Sequence, residues 1–353
     1  MAVKAALNCL RVLCIQSHVV HGYVGNKIAV FPLQVLGIEV DYINSVQFSN
    51  HTGSCNTRHI VHTGYEIVKG QVLDAASMKD LYLGLKANGL SKYTHVLTGY
   101  LASPSSLEAV ADIVSDLKKE NSNIKYYCDP VLGDNGKLYV PPELVQIYQE
   151  KILPLSDVIL PNQFEAEILS GIQITDEKSA LNCIHHLHKQ YHIPTVIITS
   201  TNSVCSSSSM MLYGYASRLI NHQMKNDHGA DNMIKQTNGS IFNNNSNYER
   251  VRFKIPHFNY HFIGTGDLFA ALTLAHLEAK IDQENNQQIA KYSFKDAFQS
   301  ILSTMQAVLS RTIQLSEKES TSMPKAARIE LKIIQSLDAI LNPPLGDDYV
   351  EKM

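Results

Sequence analysis

Short apolar segments alternate with amphipathic helical segments along most of the chain, and this alternation constrains the fold more than any single motif does. Strands are predicted at residues 10–16, 38–43, 95–97, 124–128, 158–160, 195–199 and 250–255, and helices near 77–88, 105–120, 143–149, 176–190 and 293–311, with others ending at 36 and beginning at 162. Strands that alternate with helices usually pair in parallel, because each helix returns the chain to the same edge of the sheet. The sequence therefore predicts an α/β fold with a mostly parallel central sheet and helices on both faces.

Charge and composition exclude several classes of partner. The 353 residues include 30 basic and 33 acidic side chains, so the formal net charge is −3. A balanced chain of this kind has no electrostatic basis for binding nucleic acid or a membrane surface. The six cysteines have no paired spacing, no signal-peptide layout is present, and no apolar run reaches the ~18 residues of a membrane span. We expect a soluble cytosolic protein with free thiols and a small-molecule partner.

Two polar stretches interrupt the alternation. Residues 54–63 lie between two His-Thr-Gly triplets, which indicates a local insertion with a partial repeat. Residues 202–247 are rich in Ser and Asn, and only 210–215 within them are typical of a strand. The sequence predicts one domain over residues 1–353, with these two insertions and a polar C-terminal tail from about residue 316.

A glycine–threonine–glycine–aspartate run precedes a nearly continuous apolar helix. Gly264 and Gly266 keep this stretch of backbone free of side chains, so its N–H groups can converge on one point. Free amides and the positive end of the helix dipole attract an anion. Asp267 beside them can take a proton from a hydroxyl while the amides stabilise charge on a transferred group. The alternative is an ordinary glycine-rich turn in which Asp267 caps the helix.

Acidic and amide side chains follow two further predicted strands. Asp129 and Asp134 offer oxygen ligands of the kind that Mg²⁺ prefers, although Asp-Pro turns are also common without a metal. Asn162 and Glu165 have the spacing of a helix capping box, so a purely structural role is a strong alternative. The sequence contains neither a P-loop nor a dinucleotide-binding glycine fingerprint. A phosphate-handling site would therefore have to use the helix start after Gly264.

Eight motifs occur in the order of one known family. They occupy residues 16–18, 22–26, 31–37, 44–53, 98–100, 128–134, 161–165 and 264–267. Together they closely resemble the pyridoxal kinase family of the ribokinase-like superfamily, from about residue 11 to residue 311. The resemblance implies transfer of the ATP γ-phosphoryl group to the 5′-hydroxyl of pyridoxal, pyridoxine or pyridoxamine, in pyridoxal 5′-phosphate salvage. It also implies Mg²⁺, usually a monovalent cation (K⁺ or Na⁺), and a homodimer.

The resemblance further implies roles for individual residues. Asp267 would be the general base, and the amides around Gly264, Thr265 and Gly266 would form the anion hole. Substrate contacts would come from Ser17, Thr52, Tyr100, Gly264, Thr265, Gly266 and Asp267. The nucleotide would be held by Asp129, Tyr139, Asn162, Gln163, Phe164, Glu165, Thr199, Ser200, Phe258, Asn259, Tyr260, Thr265 and Gly266, and metal ions by Asp129, Asp134 and Thr199.

Three departures from the family pattern affect these roles. Leu160 stands where the family usually has a threonine whose hydroxyl helps to form the monovalent-cation site, so we expect a weaker or altered potassium response. The insertion after residue 53 makes both Thr52 and Thr63 candidates for the pocket threonine, and Thr52 keeps the better spacing from the preceding strand. The segment between Asp134 and Tyr139 is shorter than in the family, so we expect a looser lid over the nucleotide.

Alternative functions remain open at the level of sequence. Another kinase of the superfamily would act on hydroxymethylpyrimidine or a sugar, and a non-catalytic protein would bind pyridoxal or its phosphate without transferring a phosphoryl group. The set His51, Cys55, His59 and His62 has the composition of a metal site, but we interpret it as chance placement in a polar loop.

Overall fold

The structure is a computed structural model, and it describes residues 10–52, 65–201, 211–220, 247–256, 258, 260–282, 289–291, 293–319, 322–344 and 348–353. Its strands are β1 (Arg11–Val19), β2 (Glu39–Phe48), β3 (Gly70–Val72), β4 (His95–Thr98), β5 (Lys125–Cys128), β6 (Gly133–Asp134), β7 (Lys137–Leu138), β8 (Val158–Ile159), β9 (Thr195–Thr201), β10 (Met211–Leu219), β11 (Tyr248–Pro256), β12 (Lys280–Asp282), β13 (Ile289–Lys291) and β14 (Val350–Lys352). Its α-helices are α1 (Asn26–Val35), α2 (Ala75–Ala87), α3 (Pro104–Glu120), α4 (Glu143–Ile147), α5 (Gln163–Ser170), α6 (Glu177–Tyr191), α7 (Thr265–Glu278), α8 (Phe294–Ser316), α9 (Lys325–Arg328) and α10 (Leu337–Leu341).

Ten strands form one central sheet in the order β14-β11-β10-β9-β8-β5-β4-β1-β2-β3. The six strands from β9 to β2 pair in parallel, whereas β3, β10, β11 and β14 are antiparallel to their neighbours. The prediction of a mostly parallel α/β sheet is therefore confirmed. The antiparallel strands lie at the two margins of the sheet.

Helices cover both faces of the sheet, as predicted. Along β1 the side chains of Val12 and Cys14 pack into the core beneath α1, α7 and α8, while those of Leu13 and Ile15 pack into the core beneath α2 and α3. This alternation follows from the two-residue period of a strand. Helix α7 is buried along its whole middle, because every residue of 268–277 has less than 9% of its surface exposed. Its N-terminus is therefore held rigidly.

The C-terminal segment is not a polar tail, and that prediction is wrong. After α8 the chain continues through α9 and α10 and ends in β14, which pairs with β11. Leu331, Ile333, Ile340 and Val350 are completely buried in the core that α7 and α8 share. These four apolar side chains are spaced among polar ones, so the segment looks polar in composition although it packs against the domain.

The two predicted insertions fall largely outside the described residues. All of 54–63 lies outside them, and of 202–247 only 211–220 and 247 are described. The strand predicted at 210–215 is present as β10 and extends to Leu219. No helix in the described ranges is long and apolar enough to cross a lipid bilayer.

Candidate active site

A cavity of about 990 Å³ lies at the carboxyl ends of the parallel strands, beside the start of α7. This is the edge at which open α/β sheets bind ligands. Predicted site residues that line it are Ser17, Thr52, Tyr100, Asp129, Asp134, Tyr139, Asn162, Glu165, Thr199, Ser200, Phe258, Tyr260, Gly264, Thr265, Gly266 and Asp267. Gln163 and Phe164 are not part of the lining, and Asn259 lies outside the described residues. One cavity therefore brings together residues from positions 17 to 267.

Asp267 lies in the first turn of α7, and its carboxylate accepts a hydrogen bond from the loop that follows β1. The Gly25 N–H donates to Asp267 Oδ2 over 2.8 Å. The N-cap of α7 is Gly264, and no side chain caps the helix. The interpretation of Asp267 as a helix cap is therefore not supported. The first N–H groups of the helix also have no partner within it, which leaves them available to an anion.

Two glycines allow this loop and this helix to approach so closely. At Gly25, with φ +54°, an added Cβ would lie 2.0 Å from the carbonyl oxygen of Ser17. At Gly264, with φ +86°, an added Cβ would lie 2.4 Å from the carbonyl oxygen of Tyr23. A side chain at Gly264 would push α7 away from the Gly22–Gly25 loop, and a side chain at Gly25 would push that loop away from the end of β1. The sequence motif at 22–26 did not reveal that Gly25 holds Asp267, because the donor is a backbone N–H.

Burial raises the pKa of the Asp267 carboxyl to about 6, while the hydrogen bond from the Gly25 N–H acts in the opposite direction. Removal from water disfavours the charged carboxylate, and a donor to that carboxylate favours it. At neutral pH the group is therefore mostly ionised, but with a stronger affinity for a proton than an exposed aspartate has. A carboxylate that is ionised and yet has a raised affinity for a proton is well suited to act as a general base.

A second carboxylate, Asp129, lies close to the start of α7. An added Cβ on Gly266 would be 3.7 Å from Asp129 Oδ2, so nothing separates the two in the structure. Asp129 has 7% of its surface exposed. Burial raises its pKa well above the usual range, and the carboxylates of Glu165 and Asp267 raise it further. Asp129, Glu165 and Asp267 thus form one acidic wall of the cavity.

Glu165 is fixed by backbone donors. Its side chain accepts hydrogen bonds from the N–H groups of Leu132 (2.9 Å), Gly133 (3.3 Å) and Asn162 (2.9 Å). Asn162 Oδ1 in turn accepts from the Glu165 N–H, so the predicted capping box is present. Burial raises the pKa of Glu165 to about 7 even though these N–H groups lower it. Glu165 therefore ties the turn after β5 to the start of α5.

The acidic wall fits a divalent cation surrounded mainly by water and phosphate. No group of three or more His, Cys, Asp or Glu side chains within the described ranges is arranged to ligate one metal ion. The carboxylate of Asp129 receives no hydrogen bond from the described residues, and it faces two acidic neighbours. Mg²⁺ typically keeps several waters and takes one or two carboxylates together with substrate phosphates. The donor set around Asp129 fits that mode of binding better than a closed protein cage.

The short segment before Tyr139 forms a tight β-hairpin of β6 and β7. Asn135 and Gly136 both have positive φ, and Asp134 pairs with Lys137 across the turn. This is the two-residue turn that best matches the twist of paired strands. The shortened segment is thus a compact hairpin, and the expectation of a looser lid over the nucleotide stays a prediction. Asp134 accepts from the Asn135 N–H over 2.7 Å, and burial raises its pKa.

The cavity extends into an apolar region that the sequence interpretation missed. Its walls include Ile255, Leu302, Met305, Leu309 and Tyr349. The helix α8 that carries three of them was predicted, but its apolar side chains look like ordinary core residues. This region adjoins Phe258 and Tyr260, and it offers a flat aromatic or heterocyclic group a dry surface.

The opposite part of the cavity is lined by Ser17, Thr52 and Tyr100, together with His51. Burial raises the pKa of the Tyr100 phenol, so its O–H remains a donor at neutral pH. Thr63, the alternative to Thr52, lies outside the described residues. Leu160 lines the cavity with 2% of its surface exposed, and it offers only a methyl-bearing side chain there.

Comparisons with known proteins agree with this geometry. Residues 91–307 match the family model described as phosphomethylpyrimidine kinase. The chain is 41% identical over 341 residues to a human pyridoxal kinase, covering 95% of this chain and 96% of the relative. It is 40% identical to a pyridoxal kinase of Arabidopsis thaliana, covering 94% and 92%. A solved pyridoxal kinase of Leishmania donovani, in complex with ADP and pyridoxamine, superposes with a TM-score of 0.73 at 30% identity over 97% of this chain and 98% of that one.

Substituting Gly25 by alanine tests the contact between the loop and α7. The new methyl group would meet the Ser17 carbonyl, so Gly25→Ala should move the loop and weaken its hydrogen bond to Asp267. We expect the pKa of Asp267 to rise above about 6, as followed by carboxyl ¹³C NMR, and the protein to lose about 1–3 kcal/mol of stability. The control is Gly89→Ala, which also has positive φ but has no atom within 4 Å of the added Cβ. Equal effects of the two substitutions on the pKa would contradict the contact.

Proposed function

The chain belongs to the pyridoxal kinase family, and we propose that it transfers the γ-phosphoryl group of ATP to the 5′-hydroxyl of pyridoxal, pyridoxine or pyridoxamine. The observation that carries the proposal is the position of Asp267. Its carboxylate lies at the start of a buried helix and is held by Gly25, within a cavity that also contains Ser17 and the acidic wall. An acceptor hydroxyl and a nucleotide phosphate can meet at this carboxylate.

In the proposed reaction Asp267 takes the proton of the 5′-hydroxyl while the hydroxyl oxygen bonds to the γ-phosphorus. The bond from that phosphorus to the β–γ bridging oxygen breaks, and ADP leaves. The N–H groups around Gly264, Thr265 and Gly266 would hold the transferred phosphoryl group, as a helix start favours an anion. Catalysis then depends mainly on alignment and on fixed dipoles rather than on covalent chemistry with the protein.

The vitamin is proposed to bind in the part of the cavity lined by Ser17, Thr52 and Tyr100. Ser17 would hydrogen-bond the pyridine ring, and Thr52 and Tyr100 would line its pocket. The supporting observation is that these three residues line the same cavity as Asp267, so that a ring bound there would have its 5′-hydroxyl in the same cavity as the base.

The nucleotide is proposed to occupy the other part, with its adenine towards the apolar region near Phe258 and Tyr260. Asn259, which lies outside the described residues, is a further proposed contact. The remaining proposed contacts are Asp129, Tyr139, Asn162, Gln163, Phe164, Glu165, Thr199, Ser200, Thr265 and Gly266. Gln163 and Phe164 would contribute indirectly, since the Gln163 amide donates to Glu167 and the Phe164 ring packs beside Gly133. Tyr139 at the base of the β6–β7 hairpin would help to exclude water.

Asp129, Asp134 and Thr199 are the residues that would hold metal ions. Bound Mg²⁺ would neutralise charge on the phosphates as the γ-phosphoryl group is transferred. The raised pKa of Asp129, caused by burial and by Glu165 and Asp267, supports this proposal because a cation would relieve the crowding of negative charge.

We further propose a single kinase domain that forms a homodimer in the cytosol, on the basis of family membership.

A second candidate acceptor is hydroxymethylpyrimidine, because the matching family model is that of the phosphomethylpyrimidine kinases. The relatives that match over nearly the whole chain are pyridoxal kinases, and this favours the pyridine ring. Comparing turnover of the purified protein on pyridoxal and on hydroxymethylpyrimidine decides between the two.

Replacing the proposed base tests the reaction directly. With MgATP and pyridoxal, the unmodified protein should form pyridoxal 5′-phosphate, and Asp267→Asn should reduce kcat by about 10²–10⁴-fold, since the amide cannot take the hydroxyl proton. The control is Asp112→Asn at an exposed carboxylate, which should leave the rate unchanged. Undiminished transfer by Asp267→Asn would remove the base assignment, and no transfer by the unmodified protein would favour a non-catalytic binder.

The pH dependence provides a separate prediction. Because burial raises the pKa of Asp267 to about 6, the base is lost as the pH falls through that value. We expect kcat/KM to decline by about tenfold per pH unit below pH 6. The small residual rate of Asp267→Asn should lack this acid limb. If kcat/KM of that variant declined at low pH with the same midpoint, the titrating group would not be Asp267.

Leu160 leads to a prediction about monovalent cations. A leucine side chain offers no oxygen ligand, so the rate should depend only weakly on K⁺ or Na⁺ when tetramethylammonium keeps the ionic strength constant. Leu160→Thr should increase the activation by potassium several-fold. A strong potassium activation of the unmodified protein would show that the cation site does not need an oxygen at this position.

A further inference from the structure

One buried carboxylate outside the reaction site, Glu330, binds three separate parts of the chain. Its Oε2 accepts a hydrogen bond from the Tyr23 N–H over 3.1 Å, and its Oε1 accepts one from the Tyr65 hydroxyl over 3.2 Å. His51 Nε2 lies 3.1 Å from the same Oε1. Glu330 has only 7% of its surface exposed, and no lysine or arginine of the described residues pairs with it. Burying a charge of this kind is costly unless its partners are well placed.

The first connection from Glu330 runs to the proposed base. Gly22, with φ +90°, packs directly against the Glu330 carboxylate, because an added Cβ there would lie 2.4 Å from Oε1. Tyr23 follows and donates its N–H, and two residues later Gly25 donates to Asp267. Glu330 therefore fixes one end of a four-residue loop whose other end fixes Asp267.

The second connection runs to the acceptor side of the cavity. His51 lines the cavity next to Thr52 and has 7% of its surface exposed. The ring nitrogen facing the Glu330 carboxylate must be a donor, so in the neutral ring Nδ1 is an acceptor. Nδ1 is buried and has no hydrogen-bond partner among the described residues. The carboxylate thus selects the tautomer as well as the orientation of His51.

We infer that Glu330 is a positioning residue for the vitamin side of the site, an inference that rests on the proposed function. It acts through two groups at once: His51, which forms part of the wall beside Thr52, and the Gly22–Gly25 loop, which holds Asp267. The C-terminal segment therefore contributes to acceptor binding through a residue that does not itself line the cavity.

Glu330→Gln tests this role with little change in shape. One oxygen becomes an NH₂ group, so the three donors around the carboxylate can no longer all be satisfied. We expect KM for pyridoxal to rise about tenfold and kcat to fall several-fold, with KM for MgATP within about twofold of its original value. Rescue should be partial in Glu330→Asp, which keeps the charge on a shorter side chain.

The matched control is Glu278→Gln. Glu278 is also a largely buried carboxylate, with 10% of its side chain exposed. It accepts a hydrogen bond from the Tyr127 hydroxyl over 2.7 Å, and it pairs with Lys125. It lies at the far end of α7, about 16 Å from Asp267 along the helix axis. Both variants should unfold at lower temperature, but only Glu330→Gln should change KM for pyridoxal. If both substitutions left the Michaelis constants unchanged, or if Glu330→Gln raised KM for ATP equally, Glu330 would be purely structural.

A double-substitution cycle with His51→Asn tests the route of the effect. If Glu330 acts on the vitamin through His51, the double variant should have a KM for pyridoxal within about twofold of the worse single variant. A KM equal to the product of the two separate effects would contradict this route.

Failure of the proposed function can be told apart from failure of this inference. If the unmodified protein transfers no phosphoryl group to pyridoxal, pyridoxal binding to the unmodified protein and to Glu330→Gln is compared by equilibrium titration. If hydroxymethylpyrimidine is the acceptor, the same Michaelis constants are measured with it. Weaker acceptor binding by Glu330→Gln supports the inference in each case, and equal binding overturns it.

Discussion

The hydrogen bond from the Gly25 N–H to Asp267 is the contact on which the site depends. It joins the loop after the first strand to the start of a helix that lies 242 residues further along the chain. Two glycines make it possible, because at each of them a side chain would collide with a backbone carbonyl. The same bond sets the chemistry, since it keeps a buried carboxylate ionised near neutral pH while burial holds its proton affinity high.

The acidic wall shows how the fold tolerates unfavourable charge for the sake of a site. Glu165 is stabilised by three backbone N–H groups, whereas Asp129 has no hydrogen-bond donor among the described residues. Neutralising Asp129 with a nearby lysine would make the empty protein more stable, but it would also remove the group that can attract a cation to the phosphates. The unfavourable burial of a carboxyl group without a hydrogen-bond donor is confined to Asp129, and the surrounding hydrogen bonds keep its neighbours fixed.

The sequence was sufficient for the parts of the structure that leave a local pattern. Alternating strands and helices predicted the parallel sheet, and polar residues after successive strands predicted which edge would carry the site. The roles of Gly25 and Glu330 leave no such pattern, because one acts through a backbone N–H and the other through contacts more than 260 residues away in sequence. The C-terminal segment was misjudged for a similar reason: burial of Leu331 and Val350 depends on a core formed by distant helices.

The placement of Glu330 and β14 has a consequence for the order in which the protein becomes functional during synthesis. The parallel strands are complete once residue 201 has been made, and they can begin to pair while the ribosome is still working. Glu330 and the strand that closes the sheet at its β11 edge are added among the last described residues. A nascent chain can therefore have most of its sheet before it can orient His51, so acceptor binding should be acquired only after the segment that carries Glu330 has been synthesised.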